Sequence, residues 1–532
     1  MNGSEDSEED TQEHIATVVQ GIERFIAAGQ NPEATALLDQ LIPVIAHGIS
    51  FVEEADEVGL FSGLALACAR LSRLDDAQNY AGRAIIENPI DLLAHALLTP
   101  EARIAIARQL IHHQRHDIAR DLLKTVGMTG QTDEGAFYLE LLDFYDTQKA
   151  LARRLAPQPA SDDSRPTLIS LVVWGEALVR RCLDFDLPSL LAPGNIPALA
   201  AQGVVILDIF TAEADQDRLL QDPLFDTLQK FAEIRVTIIP DTLLGHAASD
   251  TTPDPDRWCI AGAQHTSAIA ARHLDADLVF VSTGNIYSES YLSGAKQHIE
   301  DGLSAVVTTA LRAEEAPVAE QLASQGDGSS GLLEVDSAAL LSYSLLYTPE
   351  LFADAFINAN GSAAEEVPVA VFFSLESGFC AHTFQFHPVM ISSDLLPDDF
   401  IFDFNTANAR FLAEIVDGRD AEALIKVIDE PIGDIALLQL EPNDGAENDV
   451  LFPVTPESCA QAALDLCNRE SDLPYFLWSL RQRFTVDFGD LAIELPESDL
   501  DETDTVEKIL DHFEEGVAET SRRIRFYSGM LS

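Results

Sequence analysis

Between residues 166 and 312, short β-branched apolar runs alternate with helix-length segments, and this alternation constrains the fold more than any other feature of the chain. The runs are residues 168–173, 204–210, 236–239, 278–281 and 305–308. Runs this short and this continuously apolar suit strands covered on both faces. The pieces between them are long enough for crossover helices, so the pattern predicts a mostly parallel, right-handed α/β sheet. Ligands of such sheets bind beyond the carboxyl ends of the strands, which says where a site should lie.

The 532 residues suggest about three domains at roughly 150 residues each. An apolar fraction of 47% is ample for globular cores. No run approaches the ~18 apolar residues of a membrane span, and no basic segment followed by an apolar one opens the chain. The expectation is a cytoplasmic protein without a membrane span. Six cysteines are scattered without a CxxC pair, so reduced thiols are expected and a structural zinc site is not. The net charge is -57, and only six of the 32 basic residues are lysine. Such a field repels nucleic acid and anionic membranes and excludes both as expected partners. Scarce lysine with abundant Asp and Glu fits growth in salt, where screening relieves self-repulsion. An ordinary acidic protein fits equally.

Residues 1–11 read as a disordered acidic tail. Residues 12–155 have helical periodicity and repeat themselves. Residues 63–71, then 75–81, Ala84 and Asn88-Pro89 match a tetratricopeptide (TPR) unit, with Ala65, Ala77 and Ala84 small enough for two helices to approach closely. Weaker echoes surround Ala34 and Ala119, about 42 residues either side of Ala77 rather than the ~34 usual for TPRs. The expectation is TPR-like helical hairpins, serving either as a groove for a protein partner or as a cap on the next domain. Residues 156–166, rich in Pro, Ser and Asp, read as a linker.

Within the alternating region, the first run ends in Trp174-Gly175-Glu176 and the second in Thr211-Ala212-Glu213. The fourth is followed by Ser282-Thr283-Gly284-Asn285, with Glu289 one turn on. This order resembles the GT-A, nucleotide-diphospho-sugar transferase fold, and specifically bacterial TPR-containing glycosyltransferase-like proteins. The resemblance covers residues 166–312 well and 332–440 loosely. It implies an α/β protein built from N-terminal TPR-like hairpins, a GT-A/Rossmann-like mostly parallel domain over 167–440, and an acidic helical C-terminal region over 441–532.

Carried over position by position, the resemblance implies that Trp174, Gly175, Thr211 and Glu213 face the nucleotide base and ribose, and that Gly284 and Asn285 lie near the diphosphate. The family's turn after the fourth strand carries an Asp-x-Asp pair for Mg²⁺ or Mn²⁺. Here Ser282, Gly284 and Asn285 stand instead, leaving Glu289 as the candidate metal ligand or a basic residue as the substitute. His387 and Asp403 resemble late His-Pro and Asp elements on the acceptor side, as candidate catalytic groups, with Asp403 able to act as general base. Asp403 could equally cap a helix starting near Asn405.

Trp174 could stack on a base or simply edge the core. His265 reads as a core histidine packed against the sheet. Residues 313–331 read as a flexible loop, residues 420–532 as largely helical, and residues 506–530 as a closing amphipathic helix. The implied activity is sugar transfer from a nucleotide-sugar donor to a polysaccharide precursor or protein acceptor. A non-catalytic TPR adaptor with a degenerate sugar-nucleotide-binding domain is the alternative. No Gly-x-Ser-x-Gly elbow, Walker loop or GxGxxG is present, which argues against hydrolases and P-loop or dinucleotide enzymes.

Overall fold

The structure, a computed structural model, describes residues 22–531 except 23, 29, 49–59, 72, 88–97, 113–114, 128–132, 156–164, 247–253, 326–331, 348–361, 365–369, 399, 401, 403–408, 430–434, 442–451, 468–471 and 488–499. The expected acidic tail, most of the linker, Pro89 and Asp403 lie outside the described residues. The chain divides into two compact units, one of residues 1–142, 249–253 and 514–532, the other of 143–248 and 254–513. Among the described residues no helix is long and apolar enough to cross a membrane.

In the first unit, helix Leu60–Arg70 pairs with Leu74–Glu87, and Pro100–His112 with His116–Gly127. Ala65, Ala77 and Ala84 are buried, as close helix packing requires, and Phe61 stacks on Tyr80 with ring centroids 6.2 Å apart. Gly82 lets the second helix approach the third, because a Cβ there would lie 2.7 Å from the Ile106 side chain. Arg73 lies between these helices and Asn31–Gly48, bonding Asp76 at 2.6 Å and also Asp39.

The second unit is built on a seven-stranded mixed sheet. Its members are β1 (Thr167–Val172), β2 (Val205–Ala212), β3 (Glu233–Ile239), β4 (Asp277–Val281), β6 (Ala305–Thr308), β11 (His387–Ile391) and β12 (Ile425–Ile428). The spatial order is β12-β6-β11-β4-β1-β2-β3. Both neighbours of β1 run parallel to it, with Leu171 paired to Ile209 and Val281. β3 continues parallel beyond β2. β1 and β4 are buried throughout, which explains their unbroken apolar composition. Helix Pro255–Leu274 makes the crossover from β3 to β4 and packs against β1, with Ser267 Oγ 2.9 Å from Ser170 Oγ. His265 is fully buried on this helix, its ring edge-on to Phe400 at 4.8 Å and to Phe402 at 5.8 Å.

One strand breaks the parallel pattern. β11 inserts between β4 and β6 and is antiparallel to both, so the fifth predicted run is not the neighbour of the fourth. Val389 and Met390 are completely buried, so this late segment fills the interior of the sheet rather than its rim.

Three smaller sheets are present among the described residues. β9 (Ala370–Leu375), β10 (Gly378–Thr383) and β15 (Arg483–Asp487) form one in the order β15-β10-β9. β5 (Asn285–Tyr287), β13 (Leu437–Glu441) and β7 (Leu311–Glu314) form another in the order β5-β13-β7. β8 (Ser362–Ala364) and β14 (Phe452–Val454) pair as a ribbon.

Two expectations change. Residues 313–331 are not simply a loop: β7 runs into helix Glu315–Gln325, because Ala313 and Val318 are fully buried and Leu322 packs beside them. Nor is the stretch after residue 420 only helical. It adds β12 to the main sheet, β13 beside β5, and β15 beside β10, their apolar residues being drawn into cores laid down by earlier segments. The closing helix is present as Glu502–Leu531.

Candidate functional site

The chain order β1, β2, β3 moves outward on one side of β1, and β4 then returns to the other side. The carboxyl ends of β1 and β4 therefore diverge at a topological switch, where open α/β sheets bind ligands. On the β1 side, Trp174 is half-buried and Gly175 is exposed at φ 81°, in the left-handed region. The Gly175 amide donates to Asp215 Oδ2 at 2.7 Å, tying this lip to the helix Glu213–Leu220 that follows β2.

Helix Glu176–Arg181 then passes into a π-helical turn, Cys182–Asp186, a local widening that often marks functional positions. The turn carries Asp186 inward. Its carboxyl oxygens accept the backbone amides of Gly284 at 2.9 Å and Asn285 at 3.0 Å, and burial pushes its pKa up to about 8 despite those bonds and nearby Arg181. Further bonds attach the β5 segment to the same stretch. Tyr287 donates its amide to Ser189 Oγ at 3.2 Å, and Asn195 Nδ2 donates to Ser288 O at 2.9 Å.

Arg181 lies under Gly284, where a Cβ would come within 2.7 Å of the guanidinium carbon. Its Nε is 2.8 Å from Glu315 Oε2, an ion pair off the hydrogen-bonding direction, and Nη2 donates to Leu440 O. The side chain is 11% exposed and that of Glu315 16%, so this is a partly dehydrated pair rather than a surface one.

Most of the residues carried over from the resemblance fall at this edge. Thr211 is fully buried near the end of β2, and its Oγ1 has no hydrogen-bond partner among the described residues. Glu213 is exposed at the start of its helix. Gly284 and Asn285 are buried, with both amides on Asp186 and Asn285 Nδ2 donating to Ser282 O at 2.6 Å. His387 reaches the same edge because β11 is antiparallel: it pairs with Thr308, the last residue of β6. It is half-buried, its Nε2 has no partner among the described residues, and burial lowers its pKa to about 4.

Glu289 stands apart. It is exposed beyond the end of β5, with its amide on Val335 O. The turn thus offers Mg²⁺ or Mn²⁺ no carboxylate: Asn285 is turned to a backbone carbonyl and Asp186 is engaged by amides, so these residues do not fit a hard dication.

Arg181, Asp186, Asp215 and Glu315 are absent from the sequence-based set. The available signal was the Arg180-Arg181 pair closing the helix after the first strand, conspicuous in a chain with 32 basic residues against 89 acidic ones. Comparison with protein-family models and with curated proteins finds no match for this chain.

Proposed function

We propose that the seven-stranded domain binds a nucleotide-diphosphate sugar at the carboxyl edge between β1 and β4 and transfers the sugar to a polysaccharide precursor or a protein acceptor, acting in the cytoplasm. One observation carries the reading. At the switch between β1 and β4, the Trp174-Gly175 lip and the Gly284 turn flank an arginine in an otherwise strongly acidic chain. The GT-A resemblance is supported by the way β2 and β3 extend on one side of β1 and β4 on the other.

In this reading Trp174 stacks on the base, Gly175 admits the ribose, and the Thr211 hydroxyl supplies a bond it does not make among the described residues. Arg181 takes the part that a metal would play at a leaving diphosphate, through bidentate charge-assisted bonds, once Glu315 yields it. His387 is neutral at physiological pH. Its Nε2, without a partner among the described residues, can accept a proton from an acceptor hydroxyl.

Calorimetric titration of the full chain with UDP- and GDP-sugars tests this. The expected result is binding unaffected by Mn²⁺ and lost in Arg181→Ala; failure of every donor to bind, with or without Mn²⁺, defeats the donor assignment.

A second reading has its own observation. The Gly284 and Asn285 amides and Arg181 are already engaged by Asp186, Glu315 and Leu440. That favours a domain that holds a sugar nucleotide without turnover, with the helical unit recruiting a protein partner. Donor binding with neither transfer nor hydrolysis would select it.

A further inference from the structure

Cys380 and His382 are two residues apart on β10 and so lie on one face of the strand. Glu502, at the start of the closing helix, meets them there: His382 Nε2 is 3.1 Å from Glu502 Oε1. A ring nitrogen of His382, the Cys380 sulfur and a Glu502 oxygen all lie within 4.8 Å of one another. Cys380 and His382 are buried, while Glu502 is partly exposed.

The histidine is held as a ligand would be. Its Nδ1 is 3.2 Å from Leu480 O, and a carbonyl only accepts, so Nδ1 carries a hydrogen. Nε2 then faces a carboxylate, and two acceptors cannot face each other unless a proton or a metal ion lies between them. An imidazole anchored through Nδ1–H on a backbone carbonyl is the usual outer support of a metal-binding histidine. Arg483, paired with His382 across β10 and β15, donates to Glu502 through Nε at 2.6 Å and Nη2 at 3.2 Å. Its side chain is 42% exposed and can retreat to Oε2 alone, leaving Oε1 for an ion.

We propose that Cys380, His382 and Glu502 form a binding site for one divalent transition-metal ion, with Zn²⁺ the best match to a thiolate, imidazole and carboxylate set. Mg²⁺ and Mn²⁺ are poor matches because of the sulfur. Three protein ligands leave the fourth position to water. The site fastens β10 to the start of the closing helix. Binding forms metal–sulfur, metal–nitrogen and metal–oxygen bonds. The thiol proton of Cys380 and the proton between Nε2 and Oε1 pass to solvent. Because binding releases these protons, uptake strengthens as pH rises. The CxxC spacing absent from the sequence is not needed here, since a Cys-x-His pair on a strand supplies two ligands.

The test is titration of the full, chelator-treated chain with Co²⁺, followed by absorption, then displacement with Zn²⁺. The expected result is one equivalent bound with a sulfur-to-cobalt charge-transfer band that Zn²⁺ bleaches, and a band missing in Cys380→Ser. Cobalt uptake without the band, as on the acidic surface, overturns the proposal. So does an unchanged band in Cys380→Ser, which would place the ion on another thiol. Should Cys380→Ser fail to fold, Glu502→Gln decides. Weaker cobalt binding with unchanged circular dichroism supports the site, and equal affinity overturns it.

Discussion

The carboxyl group of Asp186 accepts the backbone amide of Gly284 at 2.9 Å, so a side chain from the crossover after β1 holds the turn after β4. The π-helical turn and the turn after β4 are therefore one braced unit. Replacing Asp186 with Asn puts an NH₂ group against one of two amide donors and should cost about 1–3 kcal/mol. The cost should depend on pH. Burial raises the folded pKa of Asp186 to about 8. The stability this group contributes is fully present below its unfolded pKa, ~3.9, and is lost as pH rises through the folded value. Denaturant midpoints of wild type and Asp186→Asn should accordingly draw together as pH rises from about 4 toward 8.

Gly284 and Gly175 make an internal comparison. Both have positive φ, 85° and 81°, so alanine strains the backbone at either by about 1–2 kcal/mol. At Gly175 a Cβ meets nothing within 4 Å, whereas at Gly284 it strikes the Arg181 guanidinium. Gly284→Ala should be the more destabilising and should also weaken donor binding by displacing Arg181. Equal losses from the two alanines would show that Arg181 gives way freely.

At the opposite, amino edge of the sheet, Lys296 Nζ lies 2.6 Å from Asp277 Oδ2, with side chains only 3% and 1% exposed. Lys296 also donates to Arg165 O at 3.0 Å. Lys296→Met strands a buried carboxylate and should cost about 3–5 kcal/mol in urea unfolding, with much of that recovered in Lys296→Met/Asp277→Leu. Donor affinity of the folded protein should not change, because this pair sits at the far end of the strands.

His387 makes the opposite pH prediction to Asp186. Its pKa falls to about 4 in the folded chain against ~6.5 unfolded. Between those values the unfolded chain binds the extra proton, so stability is full above ~6.5 and falls as pH drops toward 4. His387→Gln should flatten that part of the acid limb, and NMR titration of the ring should give the low pKa directly.

The main strands were readable because β1, β2 and β4 are buried on both faces, a condition that imposes continuous apolar runs. Their order was less readable. β11 is five residues long, carries Pro388, and looks like the tail of a hairpin with β10, yet it enters a different sheet. Only tertiary contact decides that. The helix over residues 315–325 was hidden by alanine, glutamate and serine, with Val318 and Leu322 the sparse apolar points.

At the edge site, strand-end positions such as Trp174 and Thr211 follow from the runs themselves. Arg181 and Asp186 do not, since what matters is a π-helical turn that no local residue pattern announces. Cys380, His382 and Glu502 were beyond reach for a similar reason: 120 residues separate the imidazole from its carboxylate.

The antiparallel β11 also bears on the order in which the molecule can assemble. β6 has as its two neighbours only strands that come later in the chain, β11 and β12. During synthesis, β1 to β4 can pair as soon as they emerge, while residues 305–308 wait without a sheet partner for more than seventy further residues. Closure of such distant pairings is slow. The half of the domain bearing His387 should therefore be the last to consolidate, and the first place where a nascent chain exposes an unpaired apolar strand.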